Sequence, residues 1–491
     1  MNKPLDVLLI NPPFDRLQGR RRGYFPMGLA YVAAALKSAG FRAAVYNAEA
    51  SRSWTEAGAQ RQSEMVSGRD TYLQALDNPN HAAWQEARRI LEETRPAVVG
   101  VSVWTEKTDA ARIISKLAKE VCPSAPVIWG GPHATLLVAE CVSVPEVDFV
   151  VKGEGERTVV ELVRKLISGG DGADGILGVY CRDSANGQVR GSDRPYEMNL
   201  DSLPRPDWES GVSDDDWTGR HGGVQSLMSS RGCPYPCKYC AVESIWGKKV
   251  RFHSVDRVIE EIESRIQLTG NRRFHFWDDS FTLDQTRTKK LCQALIDKNL
   301  KIRWTCITRP DLVDADLIRM LQRAGCRHVT FGVESASPRI LQLIGKAKST
   351  AEVDRAFAVC QAAGMRYNAY YMLGFPDEME EDMAMTVEHL CRCGAVYVGL
   401  SIFTPYPGTA LYNRAIELGL LKEPVDWSRI GRHSRHNHFV AAVSSERFQA
   451  IIDHAFREVD RVNNTPAKRF RAFVGESRRM LRHFMGTGKI R

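Results

Sequence analysis

Apolar residues in the first third of the chain form short continuous runs, and amphipathic stretches separate these runs. The runs at 5–10 and 98–103 lack the polar alternation of a half-exposed strand, which indicates strands covered by helices on both faces. Because strand and helix patterns alternate, we predict an α/β domain with a doubly wound parallel sheet over residues 1–168. Its predicted elements are 5–10, 28–39, 98–103, 109–121, 127–129, 149–151 and 157–167. Residues 51–95 are polar and long for one connection, so we expect one or two helices there.

A second alternation of strand and helix patterns begins near residue 221. Strands are predicted at 224–229, 274–277, 302–307, 328–333, 368–373 and 397–403, with helices at 255–268, 286–298, 314–324, 351–363 and 380–393. Six such units in a row predict a partial (β/α)6 barrel of the TIM type over 221–425, with reactive groups at the carboxyl ends of its strands. The Gly- and Asp-rich segment 169–220, with a hairpin signal at Asn186-Gly187, is interpreted as a linker. Residues 426–491 are interpreted as a helical extension.

Composition adds a constraint on partners. The chain has 491 residues and 43% hydrophobic content, which is typical of a globular protein with two cores. Its net charge of +8 is concentrated in residues 466–491, where eight Lys and Arg face a single acidic residue, Glu476. The remainder is near neutral, which argues against a nucleic-acid-binding surface. The N-terminus shows no pattern of an export signal, so we expect a cytoplasmic location.

The basic tail has an amphipathic helical pattern. Over 468–485 one face is apolar and the other basic; the apolar residues are Phe470, Phe473, Val474, Leu481 and Phe484. Such a helix can lie on an anionic membrane surface, which predicts peripheral contact with the inner membrane and suits a lipid-like substrate. The alternative interpretation is a helix that packs on the barrel with its arginines in water.

Three cysteines follow the first predicted barrel strand within eight residues: Cys233, Cys237 and Cys240. Iron–sulfur clusters are held by cysteine thiolates, normally four, so three leave one iron of a [4Fe–4S] cluster open to a substrate. A structural zinc site would need a fourth Cys or His at short spacing, and none stands near. The triplet therefore favours a catalytic cluster over zinc.

The spacing C-x3-C-x2-C, with Tyr239 before the last cysteine, resembles the signature of the radical S-adenosylmethionine superfamily. This resemblance implies that the amino and carboxylate groups of S-adenosylmethionine (SAM) bind the open iron. One electron from the cluster then splits the sulfonium and gives a 5′-deoxyadenosyl radical. It also implies an electron donor such as flavodoxin or ferredoxin.

The same resemblance assigns further SAM contacts to the ends of the predicted strands. Asp278 or Asp279, after the second strand, would bind the methionine ammonium, although either could instead cap a helix. Arg309, after the third strand, could hold a carboxylate or form a surface salt bridge. The remaining predicted SAM contacts are Tyr239, Glu334, Ser335 and Gly374.

Two glycines, Gly130 and Gly131, end a predicted strand of the first domain, where open α/β sheets bind ligands. No G-x-G-x-x-G follows the first strand, which argues against a nicotinamide cofactor. The motifs Asn11-Pro12-Pro13-Phe14, Gly130-Gly131-Pro132-His133-Ala134 and Val151-Lys152-Gly153-Glu154-Gly155-Glu156 resemble those of the Rossmann-like cobalamin-binding domain fused to many radical enzymes. The predicted cobalamin contacts are Pro13, Ser102, Trp104, Gly130, Gly131, His133, Gly153 and Glu154. For Trp104 the alternative is packing between sheet and helix, and for His133 it is helix capping.

The first loop lacks the D-x-H-x-x-G motif of cobalamin domains that supply a histidine to the cobalt. We therefore expect a cobalt without a histidine ligand, which the resemblance associates with methyl transfer from methylcobalamin to carbon radicals. The leading prediction is a C-methyltransferase acting on a small-molecule or lipid-like substrate. The alternatives are a cyclisation, ring contraction or oxidative rearrangement by the same cofactors, and a non-catalytic corrinoid sensor or carrier.

Overall fold

Buried apolar strands near the N-terminus build a seven-stranded sheet in the computed structural model, which describes residues 4–20, 25–49, 62–170, 172–183, 185–212, 223–346 and 349–465. The strands are β1 Val7–Asn11, β2 Ala43–Asn47, β3 Val98–Ser102, β4 Val127–Gly130, β5 Phe149–Val151, β6 Val179–Arg182 and β7 Val189–Gly191. Their order is β2-β1-β3-β4-β5-β6-β7, and β1 to β5 are parallel.

Helices cover both faces of this sheet. Alternate residues of β1 enter opposite cores, since Leu8 and Ile10 pack on one side while Val7 and Leu9 pack on the other. The helices are α1 Met27–Ser38, α2 Gln62–Asp77, α3 Ala82–Thr94, α4 Thr108–Val121, α5 Pro132–Leu136, α6 Val138–Val142 and α7 Gly155–Ile167. The doubly wound architecture is confirmed, and the described part of 51–95, residues 62–95, contains two helices, α2 and α3.

The segment interpreted as a linker is partly built into the first sheet. Strands β6 and β7 form an antiparallel hairpin on the edge strand β5, with Gly187 at a positive φ of 71° in the turn. The first sheet therefore extends to Gly191 rather than ending before residue 169. All three residues of β7 are exposed, so this strand lacks the apolar alternation by which strands are recognised in a sequence.

The second half of the chain forms a six-stranded, all-parallel sheet. Its strands are β8 Gln225–Leu227, β11 Arg273–Phe276, β12 Arg303–Thr308, β13 Cys326–Glu334, β14 Arg366–Leu373 and β15 Tyr397–Ile402, and neighbours along the chain pair in space. A two-stranded ribbon, β9 Ser230–Arg231 with β10 Arg251–Phe252, follows β8. The partial barrel is thus confirmed.

Helices surround the outer face of this partial barrel. They are α8 Val242–Trp246, α9 Val255–Thr269, α10 Gln285–Asp297, α11 Ala315–Arg323, α12 Pro338–Leu343, α13 Thr350–Ala362, α14 Glu380–Arg392, α15 Ala410–Glu417 and α16 Ser445–Asn463. Outward residues such as Phe274, Phe276 and Trp304 join the core beneath the helices. Inward residues such as His275, Trp277 and Tyr370 remain partly or well exposed, so the interior of the barrel is open.

The predicted amphipathic helix at 468–485 lies outside the described residues. Within the described part of the chain, no helix combines the length and apolar character needed to traverse a bilayer.

Candidate functional site

The three cysteines lie on the loop that follows β9, at the carboxyl end of the barrel sheet. Each carries a free thiol and is partly exposed. Gly232 precedes Cys233 with φ at +94°, and a Cβ there would come within 2.9 Å of the Lys249 carbonyl oxygen. A glycine is therefore required for the chain to enter the loop beside β10.

The turn that ends α12 holds the middle of this loop. The backbone N–H of Lys238 donates to the Ile344 carbonyl at 3.0 Å, and the Cys237 thiol contacts the Gly345 carbonyl at 3.8 Å. Gly345 has a φ of +67°, and a Cβ on it would stand 2.8 Å from the Pro236 carbonyl oxygen. Backbone contacts to the turn after α12 thus fix the position of the cysteine loop.

Burial affects the protonation of these thiols. It raises the pKa of Cys233 and raises that of Cys240 to about 12. Such thiols are protonated at neutral pH, and metal coordination is what removes the proton. In the described part of the chain, no three Cys, His, Asp or Glu side chains are arranged to hold one metal ion. A [4Fe–4S] cubane places each of three cysteine thiolates on a different iron, so three thiols on one loop suit such a cluster.

Arg309 contacts the loop through Cys237. Its Nη1 lies 3.6 Å from the Cys237 sulfur, and its guanidinium carbon is 3.8 Å from the centre of the Tyr235 ring. Both Nε and Nη2 donate to Asp311 at 2.9 Å. Burial opposes the charge, but Asp311 outweighs it and the pKa of Arg309 is raised. The carboxylate that Arg309 holds is therefore Asp311, and the guanidinium places a positive charge beside a predicted cluster ligand.

The two predicted aspartates after β11 have different environments. Asp278 is buried and accepts hydrogen bonds from the N–H groups of Ser229 and Ser230, at 2.6 and 3.1 Å, and from the Ser229 hydroxyl at 2.5 Å. Asp279 accepts one bond, from the Gly232 N–H at 3.1 Å, and burial raises its pKa to about 6. Neither caps a helix, because Asp284 is the N-cap of α10. Asp279 is thus the carboxylate with spare hydrogen-bonding capacity.

Glu334 ends β13 in an unusual backbone conformation. Its φ is +69°, and the register between β13 and β14 shifts between Gly332 and Glu334. Non-glycine residues with positive φ are strained and concentrate at functional sites. Its carboxylate pairs with Lys346 Nζ at 3.1 Å, and that ammonium lies 3.2 Å from the Tyr239 hydroxyl. The structure thereby joins two predicted residues through Lys346, which no sequence pattern singled out.

Ser335 and Gly374 both follow the ends of barrel strands, and each forms a hydrogen bond to a buried side chain. Ser335 is fully buried, with its hydroxyl 3.1 Å from that of Thr386, so it supports the turn after β13. Gly374 has a φ of +97°, and its N–H donates to Glu378 Oε2 at 2.6 Å. Glu378 is fully buried, and burial raises its pKa to about 8. Sequence reasoning missed Glu378, although an acid four residues after Gly374 could have been noticed.

Predicted cobalamin contacts line the carboxyl edge of the first sheet. Ser102 pairs with Gly130 in register across β3 and β4. A Cβ on Gly131 would lie 3.0 Å from the Val103 carbonyl oxygen and 3.1 Å from its nitrogen, and φ there is +101°. The loops after β3 and β4 thus contact each other through backbone atoms without an intervening side chain. This leaves a shallow edge that a large flat ligand could approach. Trp104 is 56% exposed on this edge, so it is not packed between sheet and helix.

Two other predicted contacts of this domain, Pro13 and His133, are buried. Pro13 lies in the β1 loop below the surface. His133 is fully buried, with Nδ1 3.3 Å from the Thr105 hydroxyl and Nε2 3.5 Å from Glu140. Its ring also meets Trp427 edge to face, so it joins the first domain to the C-terminal extension.

Gly153 and Glu154 follow β5. The Gly153 N–H donates to the Thr135 hydroxyl at 3.0 Å, which ties this loop to α5. The carboxylate of Glu154 is engaged by Arg231 and Arg251 of the barrel half. The side chain of Glu154 therefore lies at the domain interface.

Two family models match the chain. Residues 22–163 match the B12 binding domain, and residues 227–390 match the Radical SAM superfamily. The first match contains β3, β4 and β5 with their glycine-rich ends, and the second contains the cysteine loop.

Among similar curated proteins, an uncharacterized methyltransferase of Pyrococcus horikoshii is 34% identical over 69% of this chain and 73% of its own length. The cytidylyl-2-hydroxyethylphosphonate methyltransferase of Streptomyces wedmorensis is 26% identical over 84% of this chain and 82% of its own. Among solved structures, the radical S-adenosylmethionine methyltransferase TsrM of Kitasatospora setae, with cobalamin and [4Fe–4S] cluster bound, has a TM-score of 0.65 at 21% identity. That alignment covers 86% of this chain and 80% of the other, and it shows a shared fold.

Proposed function

This chain belongs to the cobalamin-dependent radical S-adenosylmethionine enzymes, and on that basis we propose that it methylates an unactivated carbon of a small-molecule substrate. The observation that carries the proposal is the arrangement of three free thiols on one loop held by backbone contacts, with Asp279 beside it and a glycine-rich sheet edge in the same molecule. The two relatives described above are both named as methyltransferases, which supports methyl transfer over rearrangement.

In this proposal, the cysteine loop and the residues around it bind the [4Fe–4S] cluster and SAM. Cys233, Cys237 and Cys240 are the three protein ligands of the [4Fe–4S] cluster. Asp279 receives the methionine ammonium of SAM, since its carboxylate has a free oxygen and gains from a cationic partner. Lys346 is available to the methionine carboxylate or the ribose, because its partners Glu334 and Tyr239 stand at the mouth of the barrel.

The first domain holds cobalamin at its carboxyl edge in this proposal. Gly130 and Gly131 would admit the corrin close to the backbone, and the exposed Trp104 would contact it. His133 is fully buried beneath the edge, so its ring would not reach a corrinoid bound there. When bound, the cluster supplies the electron that cleaves SAM and cobalamin supplies the methyl group.

The substrate lies in the open interior of the partial barrel. Trp277 and Tyr370 present exposed rings there, 41% accessible each, and polar inward groups such as Thr305 and Asn368 offer hydrogen bonds. An aromatic wall with few hydrogen-bonding groups is typical of small-molecule sites. The electron enters from a small redox protein of the flavodoxin or ferredoxin type.

The decisive test is substitution of a cluster ligand. The wild-type protein, reconstituted anaerobically with iron and sulfide, should bind about four irons per chain and cleave SAM to 5′-deoxyadenosine after reduction. Cys233→Ala should abolish the cleavage. Cys391→Ala is the matched control, because Cys391 is also partly exposed but lies on α14, outside the loop. Cleavage that persists in Cys233→Ala would refute the radical assignment, and S-adenosylhomocysteine formed together with 5′-deoxyadenosine would support methylation.

The basic tail gives the proposal a second part, peripheral attachment to an anionic membrane. Deletion of 466–491 should release the protein from vesicles that contain an anionic lipid, while binding to neutral vesicles should be weak for both forms. Sedimentation with the two vesicle types measures this. Equal sedimentation of the full chain and the deletion form with anionic vesicles would rule out the tail as the anchor.

A further inference from the structure

Four charged side chains from the two halves of the molecule meet behind the cysteine loop; we call them the interdomain clamp. Glu154 and Glu156 come from the first domain, and Arg231 and Arg251 come from β9 and β10. Arg231 donates to Glu154 at 2.7 Å and to Glu156 at 2.6 Å. Arg251 donates through Nη1 to both oxygens of Glu154, at 2.8 and 2.9 Å.

The clamp is almost completely withdrawn from water. The arginine side chains are each 2% exposed, and those of Glu154 and Glu156 are 9% and 7% exposed. Two basic and two acidic side chains thus lie together in a site where an unpaired charge would be very costly.

Aromatic rings complete the surroundings of Arg231. Its guanidinium lies 5.0 Å from the centre of the Tyr31 ring of α1 and 5.2 Å from that of Trp246 of α8. One ring belongs to each half of the molecule. The guanidinium is therefore held in place by groups from both sides, which fixes its position as well as its charge.

Short contacts extend from the clamp towards both predicted cofactor sites. On the barrel side, Arg231 is followed by Gly232 and Cys233, and the Gly232 N–H is held by Asp279. On the other side, Gly153 precedes Glu154 and binds the Thr135 hydroxyl, which in turn donates to the Gly131 carbonyl at 2.9 Å. A continuous series of hydrogen bonds and adjacent residues thus joins the glycine edge to the first cluster cysteine.

We propose that the interdomain clamp is a positioning device that sets the separation between the cobalamin edge and the cysteine loop. Apolar packing would join two domains at least as stably as buried ion pairs do, whereas ion pairs with fixed geometry define one relative placement. This matters because a misplacement of about 1 Å can cost roughly a hundredfold in rate. The proposal rests on the proposed function, since it presumes that both cofactors bind.

The separation can be measured directly in the loaded protein. The reduced cluster and cob(II)alamin are both paramagnetic, so pulsed EPR of their dipolar coupling reports the distance distribution between them. The variants are Glu156→Gln, which removes one charge, and Arg251→Lys, which keeps the charge but loses the planar fork. The matched control is Glu260→Gln, which breaks the exposed Arg205–Glu260 pair instead. Iron content and corrin absorption establish loading in each protein.

Wild type and Glu260→Gln should give one narrow distance distribution, and both clamp variants should give a broadened or shifted one. Two clamp variants with the narrow wild-type distribution would overturn the proposal. Loss of the cluster from both variants with the corrin retained would also overturn it, because the clamp would then serve cluster binding. Wild-type protein that loads no cobalamin would instead count against the proposed function, through its corrin spectrum, so the two failures are distinguishable.

Discussion

Adjacent side chains on one strand end can have separate tasks. The Asp278 carboxylate accepts three hydrogen bonds from the β8–β9 turn, and the Asp279 carboxylate accepts one, from the Gly232 N–H. Successive side chains of an extended segment point to opposite sides, so adjacent residues contact different parts of the protein. Only the second retains capacity for a cationic ligand.

We expect Asp279→Asn to weaken SAM binding by roughly tenfold to a hundredfold, because a hydrogen bond to a charged group contributes about 1.5–3 kcal/mol. Calorimetric titration of the cluster-loaded protein with SAM measures this. Asp278→Asn is the companion variant and should lower the free energy of unfolding, since the Ser229 hydroxyl loses its acceptor and the two backbone N–H groups keep only an uncharged one. A dissociation constant for Asp279→Asn within twofold of wild type would contradict the assignment.

Local spacing made part of the site predictable at this scale. The three cysteines lie within eight residues, so the sequence alone indicates a shared ligand. Lys346 and Arg231 carry no such signal, because they reach Glu334 and Glu156 only through the tertiary fold. Arginine and lysine side chains are ordinarily solvated, and nothing in the residues adjacent to these two marks them as buried ion-pair partners.

At the scale of elements, apolar periodicity located the strands and helices well. The helix predicted at 255–268 is Val255–Thr269, and the strand predicted at 149–151 is Phe149–Val151. Such elements bury one face or both, which imposes the pattern. The exposed strand β7 has no such apolar pattern, so the sequence indicates a linker where the first sheet in fact continues.

The connection from β14 to α14 depends on one buried acid. Glu378 accepts the N–H groups of Gly374 and Phe375, at 2.6 and 3.0 Å, while its Oε1 has no partner among the described residues. Burial raises its pKa from 4.5 to about 8, so the folded protein holds a proton here at neutral pH. The unfolded chain releases that proton near its ordinary pKa. Stability should therefore fall as pH rises from about 4.5 to about 8.

Glu378→Gln should remove this part of the pH dependence, which has an upper limit of about 1.4 kcal/mol per pH unit. Urea unfolding of the wild type and the variant, followed by circular dichroism across that pH range, measures the free energy of unfolding. Glu381→Gln is the control, because that side chain is exposed on the same helix. Parallel pH profiles for wild type and Glu378→Gln would show that the carboxyl does not hold the proton.

In the whole molecule, the first domain completes the barrel half. The partial barrel leaves β15 as an edge strand, and unpaired edges are prone to aggregation. Gln62, the first residue of α2, covers this edge: its Oε1 accepts the Leu400 N–H at 2.9 Å, and its Nε2 lies 3.4 Å from the Val398 carbonyl. Its own N–H donates to Asp460 of α16 at 2.7 Å. The amide of Asn463 in α16 pairs with both backbone groups of Val398 on the same edge, at 2.7 and 2.8 Å, so two amide side chains take the place of a neighbouring strand.

The two halves should therefore unfold together, and Gln62→Ala should weaken their union. The variant leaves the buried N–H of Leu400 without its acceptor, which costs about 1–3 kcal/mol. Urea unfolding followed by far-ultraviolet circular dichroism and by tryptophan fluorescence should give coincident transitions in wild type. In Gln62→Ala the midpoint should fall, and the two probes should separate if the barrel half opens first. Gln293→Ala is the control, because Gln293 pairs only with Asp297 on an exposed helix face, and such changes are within about 0.5 kcal/mol. An unchanged midpoint in Gln62→Ala would mean that α2 and α16 protect the edge of β15 without the Gln62 amide.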